Sequence, residues 1–132
     1  MSDAGPSRSL GELEGAVMEQ FWSSDDTRLV RDVVAELAPD RPLAYTTVMT
    51  VMDNLHRKGF LRRERDGRAW RYVAALTREA YVAGLMSDAL SGSTDRAGAL
   101  VRFVEQIGVE DAEVLNRALA EALAERRERG AR

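Results

Sequence analysis

The stretch YTTVMTVMDNLHRKGFLRRERDGRAWRYV, residues 45–73, joins a helical pattern to an extended pattern rich in arginine. In its first half, apolar residues recur at the i, i+3, i+4 and i+7 spacing of one helix face: Val48, Val51, Met52 and Leu55. Such a stripe packs against the rest of a domain and leaves the opposite face free. We expect the helix to end at Gly59, because glycine suits the left-handed position that follows a helix.

The free face of this helix suits close approach to the edges of base pairs. Threonine bonds donors or acceptors, asparagine takes adenine in bidentate fashion, and arginine takes guanine or a phosphate. The residues predicted to contact bases are Thr46, Thr47, Met49, Thr50, Asn54 and Arg57. Asp53 is the odd member, because phosphate repels a carboxylate. It either accepts from a cytosine amino group or pairs with Arg57 four residues on.

Beyond Gly59 the pattern changes to two extended runs around the pair Asp66-Gly67. This pair predicts a β-hairpin with a two-residue turn. Seven basic and two acidic residues lie between Arg57 and Arg71, which predicts contact with DNA phosphates. The predicted phosphate contacts are Lys58, Arg62, Arg63, Arg65 and Arg68. The alternative is a solvated hairpin edge whose charges block strand pairing.

This basic segment contrasts with the whole chain, which has 132 residues, 19 Lys and Arg, 22 Asp and Glu, and a net charge of −3. The first 40 residues carry nine acidic and three basic side chains, so charge is polarised along the chain. The absence of cysteine excludes disulfides, thiolate catalysis and cysteine-based metal sites. With His56 as the single histidine and no Gly-rich phosphate loop, we predict no enzyme, no metal and no cofactor.

The location of the protein is predicted from two missing patterns. No apolar run approaches the roughly 20 residues of a membrane span. The N-terminal sequence MSDAGPSRS lacks the apolar core of a signal peptide. We therefore expect a cytoplasmic protein without membrane insertion.

The first half of the chain has the element order of a winged helix-turn-helix. Residues 1–8 are polar and predicted to be disordered. The Ser-x-x-Glu pattern of Ser9 and Glu12 predicts a capping box at the start of the first helix. A short strand over residues 27–29 and a second helix over residues 30–37 follow. With the helix and hairpin above, the order of helix, strand, helix, helix, strand, strand predicts a winged-helix DNA-binding domain over residues 9–75.

Three more helical patterns follow over residues 77–90, 94–107 and 110–127. They carry more apolar side chains than three short helices bury within one chain, which predicts a dimerisation region over residues 76–126 and a flexible tail over residues 127–132. A two-fold dimer also gives a one-helix DNA reader a second half-site. The predicted interface residues are Tyr81, Leu85, Leu100, Val104, Leu115, Leu119 and Leu123. Packing of these helices on the winged domain is the alternative.

Four segments, in this order, resemble the penicillinase-repressor family, also called the BlaI/MecI family. They are LGELEGAVMEQFW at residues 10–22, YTTVMTVMDNLHRKGFL at 45–61, GRAWRY at 67–72 and ALVRFVE at 99–105. The resemblance implies a mainly α (α+β) fold and a homodimeric repressor on a dyad operator in double-stranded DNA. In relatives, a membrane-bound sensor with a zinc protease domain triggers cleavage of the repressor, and some members control β-lactam resistance.

Individual residues carry this resemblance to different degrees. The positions that match the family pattern are Thr47, Thr50, Leu55, Lys58 and Gly59. Asn54 departs from it, because many relatives have arginine there. The bond cleaved in the best-known relatives joins asparagine to phenylalanine and corresponds here to Arg102 and Phe103, of which only Phe103 matches. Two functions stay open: a sequence-specific repressor, and a winged-helix protein-interaction module that uses its basic hairpin against an acidic partner.

Overall fold

A computed structural model describes residues 9–131, so the N-terminal segment predicted to be disordered, residues 1–8, lies outside the described residues. This range forms six helices and one antiparallel two-stranded sheet. The elements are α1 (Glu12–Trp22), α2 (Val30–Leu37), α3 (Tyr45–Arg57), β1 (Leu61–Asp66), β2 (Ala69–Ala74), α4 (Arg78–Ser91), α5 (Arg96–Gln106) and α6 (Val109–Ala131). The predicted winged helix-turn-helix architecture, mainly helical with a small sheet, is confirmed.

The hydrophobic core of the first half joins α1, α2, α3 and the base of the hairpin. Its buried side chains are Val17, Met18, Phe21, Val30, Val33, Leu37, Val48, Met52, Leu55, Phe60, Leu61 and Tyr72. Each large apolar side chain contributes roughly 1.5–3 kcal/mol when it is fully buried. Because three of these residues form the inner stripe of α3, the core fixes which side of that helix faces solvent.

The end of α3 is a Schellman motif, as the glycine pattern predicts. The N–H of Phe60 donates to the carbonyl of Leu55 at 2.9 Å, and the N–H of Gly59 donates to that of His56 at 3.1 Å. Gly59 has a φ of 89°, which side chains with a Cβ rarely adopt. This turn directs the chain from α3 straight into β1.

The turn of the hairpin lies one residue further along the chain than predicted. The strands pair from Leu61 opposite Ala74 to Asp66 opposite Ala69, so the two turn residues are Gly67 and Arg68 rather than Asp66-Gly67. Gly67 has a φ of 64°, and both common two-residue hairpin turns need a positive φ at their first central position. The single glycine therefore decides the register.

The strand predicted over residues 27–29 is reduced to one β-bridge between Arg28 and Tyr72. Their backbone N–H and C=O groups exchange hydrogen bonds of 2.9 and 2.8 Å. The Arg28 side chain is buried, and it pairs with Glu36 at 2.6 Å and lies over the Phe21 ring. A buried cation needs such partners, and here they attach the base of the hairpin to α1 and α2.

The start of α1 differs from the predicted capping box of Ser9 and Glu12. The N-cap is Gly11, whose N–H donates to the Glu14 carboxylate at 3.1 Å. The residue before it, Leu10, packs against the core and donates its N–H to the Tyr81 hydroxyl at 2.9 Å. Tertiary packing of Leu10 therefore delays the first helical turn.

Tyr81 does not lie where a dimer-interface residue was expected. Its ring centroid lies 5.5 Å from that of Trp22 and 5.6 Å from that of Phe60. The sequence shows that Tyr81 is on the apolar side of its helix, but not which apolar surface it covers. It packs on α1 and on the turn before β1, within the winged-helix half.

The chain divides into two compact units, of which the first extends to Ser87 and the second begins at Asp88. The predicted boundary after residue 75 is therefore too early, because most of α4 belongs to the first unit. The tail predicted to be flexible over residues 127–132 is helical as far as Ala131. Its Arg and Glu residues favour helix, and Arg129 lies 3.9 Å from Glu125 one turn earlier.

Candidate DNA interface

Helix α3 buries one side and exposes the other. Val48, Met52 and Leu55 are fully buried and Val51 is half-buried, which confirms the predicted stripe. Among the residues predicted to contact bases, Thr47 is half-buried and the others are exposed: Thr46, Met49, Thr50, Asn54 and Arg57. A helix of about 10–12 Å diameter fits a major groove about 12 Å wide.

The first turn of α3 leaves its backbone donors open. Its N-cap is Ala44, which makes no side-chain hydrogen bond, and the turn holds no acidic residue. The Thr50 hydroxyl donates to the Thr46 carbonyl at 2.9 Å, so its oxygen can still accept from an outside donor. This end of the helix therefore repels no phosphate and offers N–H groups.

The hairpin of β1 and β2 is the wing, and it presents three arginines that form no ion pair with any described residue: Arg62, Arg65 and Arg68. All three are exposed. The strands around them are anchored at the base, where Leu61 and Tyr72 are buried. Unpaired exposed cations on an anchored hairpin suit binding to a polyanion.

Three of the other predicted contacts already have acidic partners. Lys58 pairs with Glu14 at 2.6 Å, while Arg57 and Arg63 both pair with Asp53, at 2.6 and 3.1 Å. Pairing with Arg57 is one of the two roles predicted for Asp53. DNA that contacts any of these three cations competes with a carboxylate of the protein.

The Glu14 carboxylate stays charged in this pair. Burial raises the pKa of Glu14. The hydrogen bonds from Lys58 and from the Gly11 N–H, together with the positive charge of Lys58, lower it by more, so the pKa is below its usual range. This ion pair joins α1 to the end of α3 across 44 positions of sequence.

A groove of about 300 Å³ lies between the first turn of α2, α3 and the tip of the wing. Its lining includes Arg31, Tyr45, Met49, Arg68 and Trp70. Arg31 is exposed and forms no ion pair within residues 9–131. The sequence did not predict Arg31, because this residue lies outside the basic stretch. Its position in the first turn of a predicted helix, within an otherwise acidic segment, could have indicated it.

The second unit exposes apolar side chains along α5 and α6. Neither helix contains a buried residue in the described range. Four predicted interface residues are about half exposed in the single chain: Leu100 at 49%, Val104 at 50%, Leu119 at 53% and Leu123 at 46%. Leu115 and, in the first unit, Leu85 are half-buried. Exposed apolar side chains of this kind are typical of an interface between proteins.

Arg102 and Phe103, the position predicted for cleavage, lie inside α5. Phe103 is 39% exposed. The backbone at this bond is helical, so a protease that binds an extended chain needs α5 to unwind locally.

Residues 9–131 contain neither a candidate metal site nor a candidate membrane span. No group of His, Asp or Glu side chains in this range could hold a metal ion, and no helix there is long and apolar enough to cross a membrane. The His56 ring places Nδ1 3.2 Å from the Leu61 carbonyl oxygen, a contact between α3 and β1.

A model of the family described as "Penicillinase repressor" matches residues 10–121. The chain belongs to the penicillinase repressor family. It is 49% identical over 115 residues to "Transcriptional regulator BlaI" of Mycobacterium tuberculosis, in strains CDC 1551 / Oshkosh and ATCC 25618 / H37Rv, with 85% of this chain and 83% of each relative covered. Members of this family are transcriptional regulators and not enzymes.

One solved structure similar to this penicillinase repressor family member is the solution structure of the DNA-binding domain of the repressor BlaI. It is 22% identical, covers 54% of this chain and 85% of that domain, and gives a TM-score of 0.48. The assignment to the family therefore depends on the sequence matches, which confirm the predicted family membership.

Proposed function

We propose that the protein is a transcriptional repressor that binds a dyad operator in double-stranded DNA as a homodimer in the cytoplasm. The observation that carries this proposal is the exposed side of α3 beside three unpaired arginines of the wing: Arg62, Arg65 and Arg68. One element offers hydrogen-bonding side chains to bases and the other offers charge to phosphates. Double-stranded DNA presents both kinds of partner side by side, bases in its groove and phosphates along its edge.

The exposed side of α3 contacts the bases. Thr46, Thr50 and Asn54 present short hydrogen-bonding side chains, and Met49 offers an apolar contact to a thymine methyl. Arg57 reaches guanine or phosphate once it leaves Asp53. Because Asn54 stands where many relatives have arginine, we expect this operator to differ from theirs at the base pair that this residue reads.

Phosphate contacts fall to the wing and to the groove beside it. Arg31 on α2 and Arg68 at the tip of the wing line the same groove. A sugar-phosphate backbone in this groove would meet a cation from each side. This arrangement supports Arg31 as a phosphate contact in addition to those predicted from the basic stretch.

The exposed apolar side chains of α5 and α6 support dimerisation. Covering them with a second copy removes apolar surface from water, at roughly 25 cal/mol per Å². A two-fold dimer places two α3 helices on half-sites about 34–36 Å apart, one turn of DNA. The family description as a repressor fits a dimer that occupies its operator until it is released.

Release is proposed to follow cleavage between Arg102 and Phe103, triggered by a membrane-bound sensor protease as in relatives. Cleavage there cuts α5 and so removes part of the apolar interface. Immunoblotting of β-lactam-treated cells checks this step through a shortened fragment that ends near Arg102. An intact chain in cells whose target genes are induced would contradict it.

The proposed function is tested by selection from a random-sequence DNA duplex library with the full-length protein. We expect enrichment of two inverted half-sites, with affinity that falls steeply as salt rises because several phosphates are neutralised. A protein-interaction module would enrich no sequence, and that outcome would overturn the repressor. Thr50→Ala, selected in parallel, is expected to lose about 1–3 kcal/mol of discrimination at one base pair of each half-site.

A further inference from the structure

Asp53 lies on the side of α3 that is proposed to face DNA, yet it carries a negative charge. Its two carboxylate oxygens accept from different elements: Oδ2 from Arg57 of α3 at 2.6 Å and Oδ1 from Arg63 of the wing at 3.1 Å. The carboxylate is therefore occupied on both sides. The Asp53 carboxylate therefore joins α3 to the middle of β1.

Arg63 is held on several sides at once. Its Nη1 donates to Asp53 and lies 3.5 Å from the Tyr72 hydroxyl, and its guanidinium carbon lies 4.2 Å from the centroid of the Trp70 ring. The Nε atom is buried and has no hydrogen-bond partner among the described residues. The Arg63 side chain is only 22% exposed, so little of its charge is accessible to a phosphate.

Arg65 offers a direct comparison two residues along the same strand. Residues i and i+2 of a strand share a face, so Arg63 and Arg65 point the same way. The guanidinium carbon of Arg65 lies 4.8 Å from the Trp70 ring centroid, but Arg65 is exposed and has no acidic partner within residues 9–131. Only one of these two neighbouring arginines is free to bind an outside anion.

An isolated two-stranded hairpin is marginally stable in water and needs packing to hold its position. Leu61 and Tyr72 supply that packing at the base of the wing. Further out, Trp70 packs against the core, and Arg63 makes the ion pair that connects the wing to α3. The angle between the wing and α3 decides whether α3 can contact bases while the wing contacts phosphates.

We infer that Asp53, Arg63 and Trp70 form a helix–wing brace, in which Arg63 is a positioning residue and not a phosphate contact. This inference rests on the proposed DNA binding and revises the sequence-based prediction for Arg63. The brace holds the exposed arginines of the wing at a fixed distance from the bases read by α3. Such pre-organisation removes an ordering cost from DNA binding.

The first test is the salt dependence of binding, measured by fluorescence anisotropy with a labelled 30-base-pair duplex of arbitrary sequence. A residue that neutralises one phosphate contributes about 0.9 to the slope of log affinity against log salt concentration. We expect Arg65→Met to reduce the slope by about 1. Arg63→Met should weaken binding severalfold and leave the slope unchanged. An equal fall in slope for both variants would overturn the brace.

The second test uses free protein, so that it does not depend on DNA. Hydrogen–deuterium exchange is compared at the amides of residues 62–73 in wild type, Arg63→Met, Arg65→Met and Asp53→Asn. We expect faster exchange of the wing in the Arg63 and Asp53 variants and wild-type exchange in the Arg65 variant. Unchanged exchange in Asp53→Asn would overturn the brace, even where Arg63→Met fails to fold. Absence of salt-dependent binding by wild type would instead overturn the proposed function.

Discussion

At the scale of single residues, the identity of a side chain does not determine whether its charge is available. Arg62 and Arg63 are adjacent in sequence, yet the first is exposed and unpaired among the described residues while the second pairs with Asp53. Their difference arises from the alternation of a strand, which turns successive side chains to opposite faces. The alternation was visible in the sequence, but the acidic partner on α3 was not.

Two glycines at this scale give opposite predictions for the same substitution. Gly59→Ala is expected to lower the free energy of unfolding by about 1–2 kcal/mol, because alanine is strained at its φ of 89°. Gly15→Ala is expected to raise it by about 0.5–1 kcal/mol, because Gly15 is inside α1 and nothing lies within 4 Å of an added Cβ. Urea denaturation at one protein concentration measures both; a stabilising Gly59→Ala would contradict the Schellman turn.

At the scale of elements, ion pairs and hydrophobic contacts fix α3 between its neighbours. The inner stripe of α3 sets its rotation, and the pair of Lys58 with Glu14 ties its end to α1. The same lysine is a predicted phosphate contact. It can therefore serve the fold in the free protein and exchange its partner in the complex.

The α1–α3 tie predicts a pH-dependent effect of Glu14→Gln. Since the folded-state pKa of Glu14 lies below its ordinary value, the carboxylate stabilises the fold above that ordinary value and loses this effect as the pH falls through the folded-state pKa. At neutral pH we expect a loss of up to about 1 kcal/mol, which disappears in acid. Urea denaturation as a function of pH measures it.

Glu12→Gln is the matched control for this prediction. Glu12 also lies in the first turn of α1 and pairs with Arg41, but its side chain is 81% exposed. Both substitutions remove a favourable charge from the helix N-terminus together with one ion pair, so the difference between them reports how much more the part-buried Lys58 pair contributes than the exposed Arg41 pair. Equal losses at neutral pH would show that the Lys58 pair contributes no more than the exposed Arg41 pair.

At the scale of the whole molecule, the two units differ in how they are stabilised. The first unit has a core built from α1, α2, α3 and the hairpin. The second exposes the apolar side chains of α5 and α6 in the single chain. This contrast fits a DNA-binding unit that folds within one chain and a helical unit completed by a second copy.

The dimer proposal predicts a specific effect of Leu119→Glu. A charge placed at an apolar contact should raise the dissociation constant of the dimer at least about tenfold, or ~1.4 kcal/mol. Ala124→Glu adds the same charge to α6 about 140° around the helix and should leave the dimer intact. Sedimentation velocity over a concentration series measures both. Dissociation by both variants, or by neither, would contradict an interface at Leu119.

The sequence by itself determined the helices, the hairpin and their order. The spacing of apolar residues predicted α3 and its buried stripe, Gly59 and Gly67 placed the two turns to within a residue, and the run of arginines located the wing. These features could be predicted because each depends on a period or a dihedral angle within a few neighbouring residues. The match of four ordered segments gave the family.

Only the tertiary structure decided which of these residues are free and which are partners. Three features each involve separate elements of the fold: Asp53 pairs with Arg63, Tyr81 packs on Trp22 and Phe60, and Arg31 lines the groove beside the wing. Such contacts depend on how helices and strands are oriented in space, which no local period encodes. The availability of a charge for DNA is therefore a property of the fold, although the charge itself is a property of the sequence.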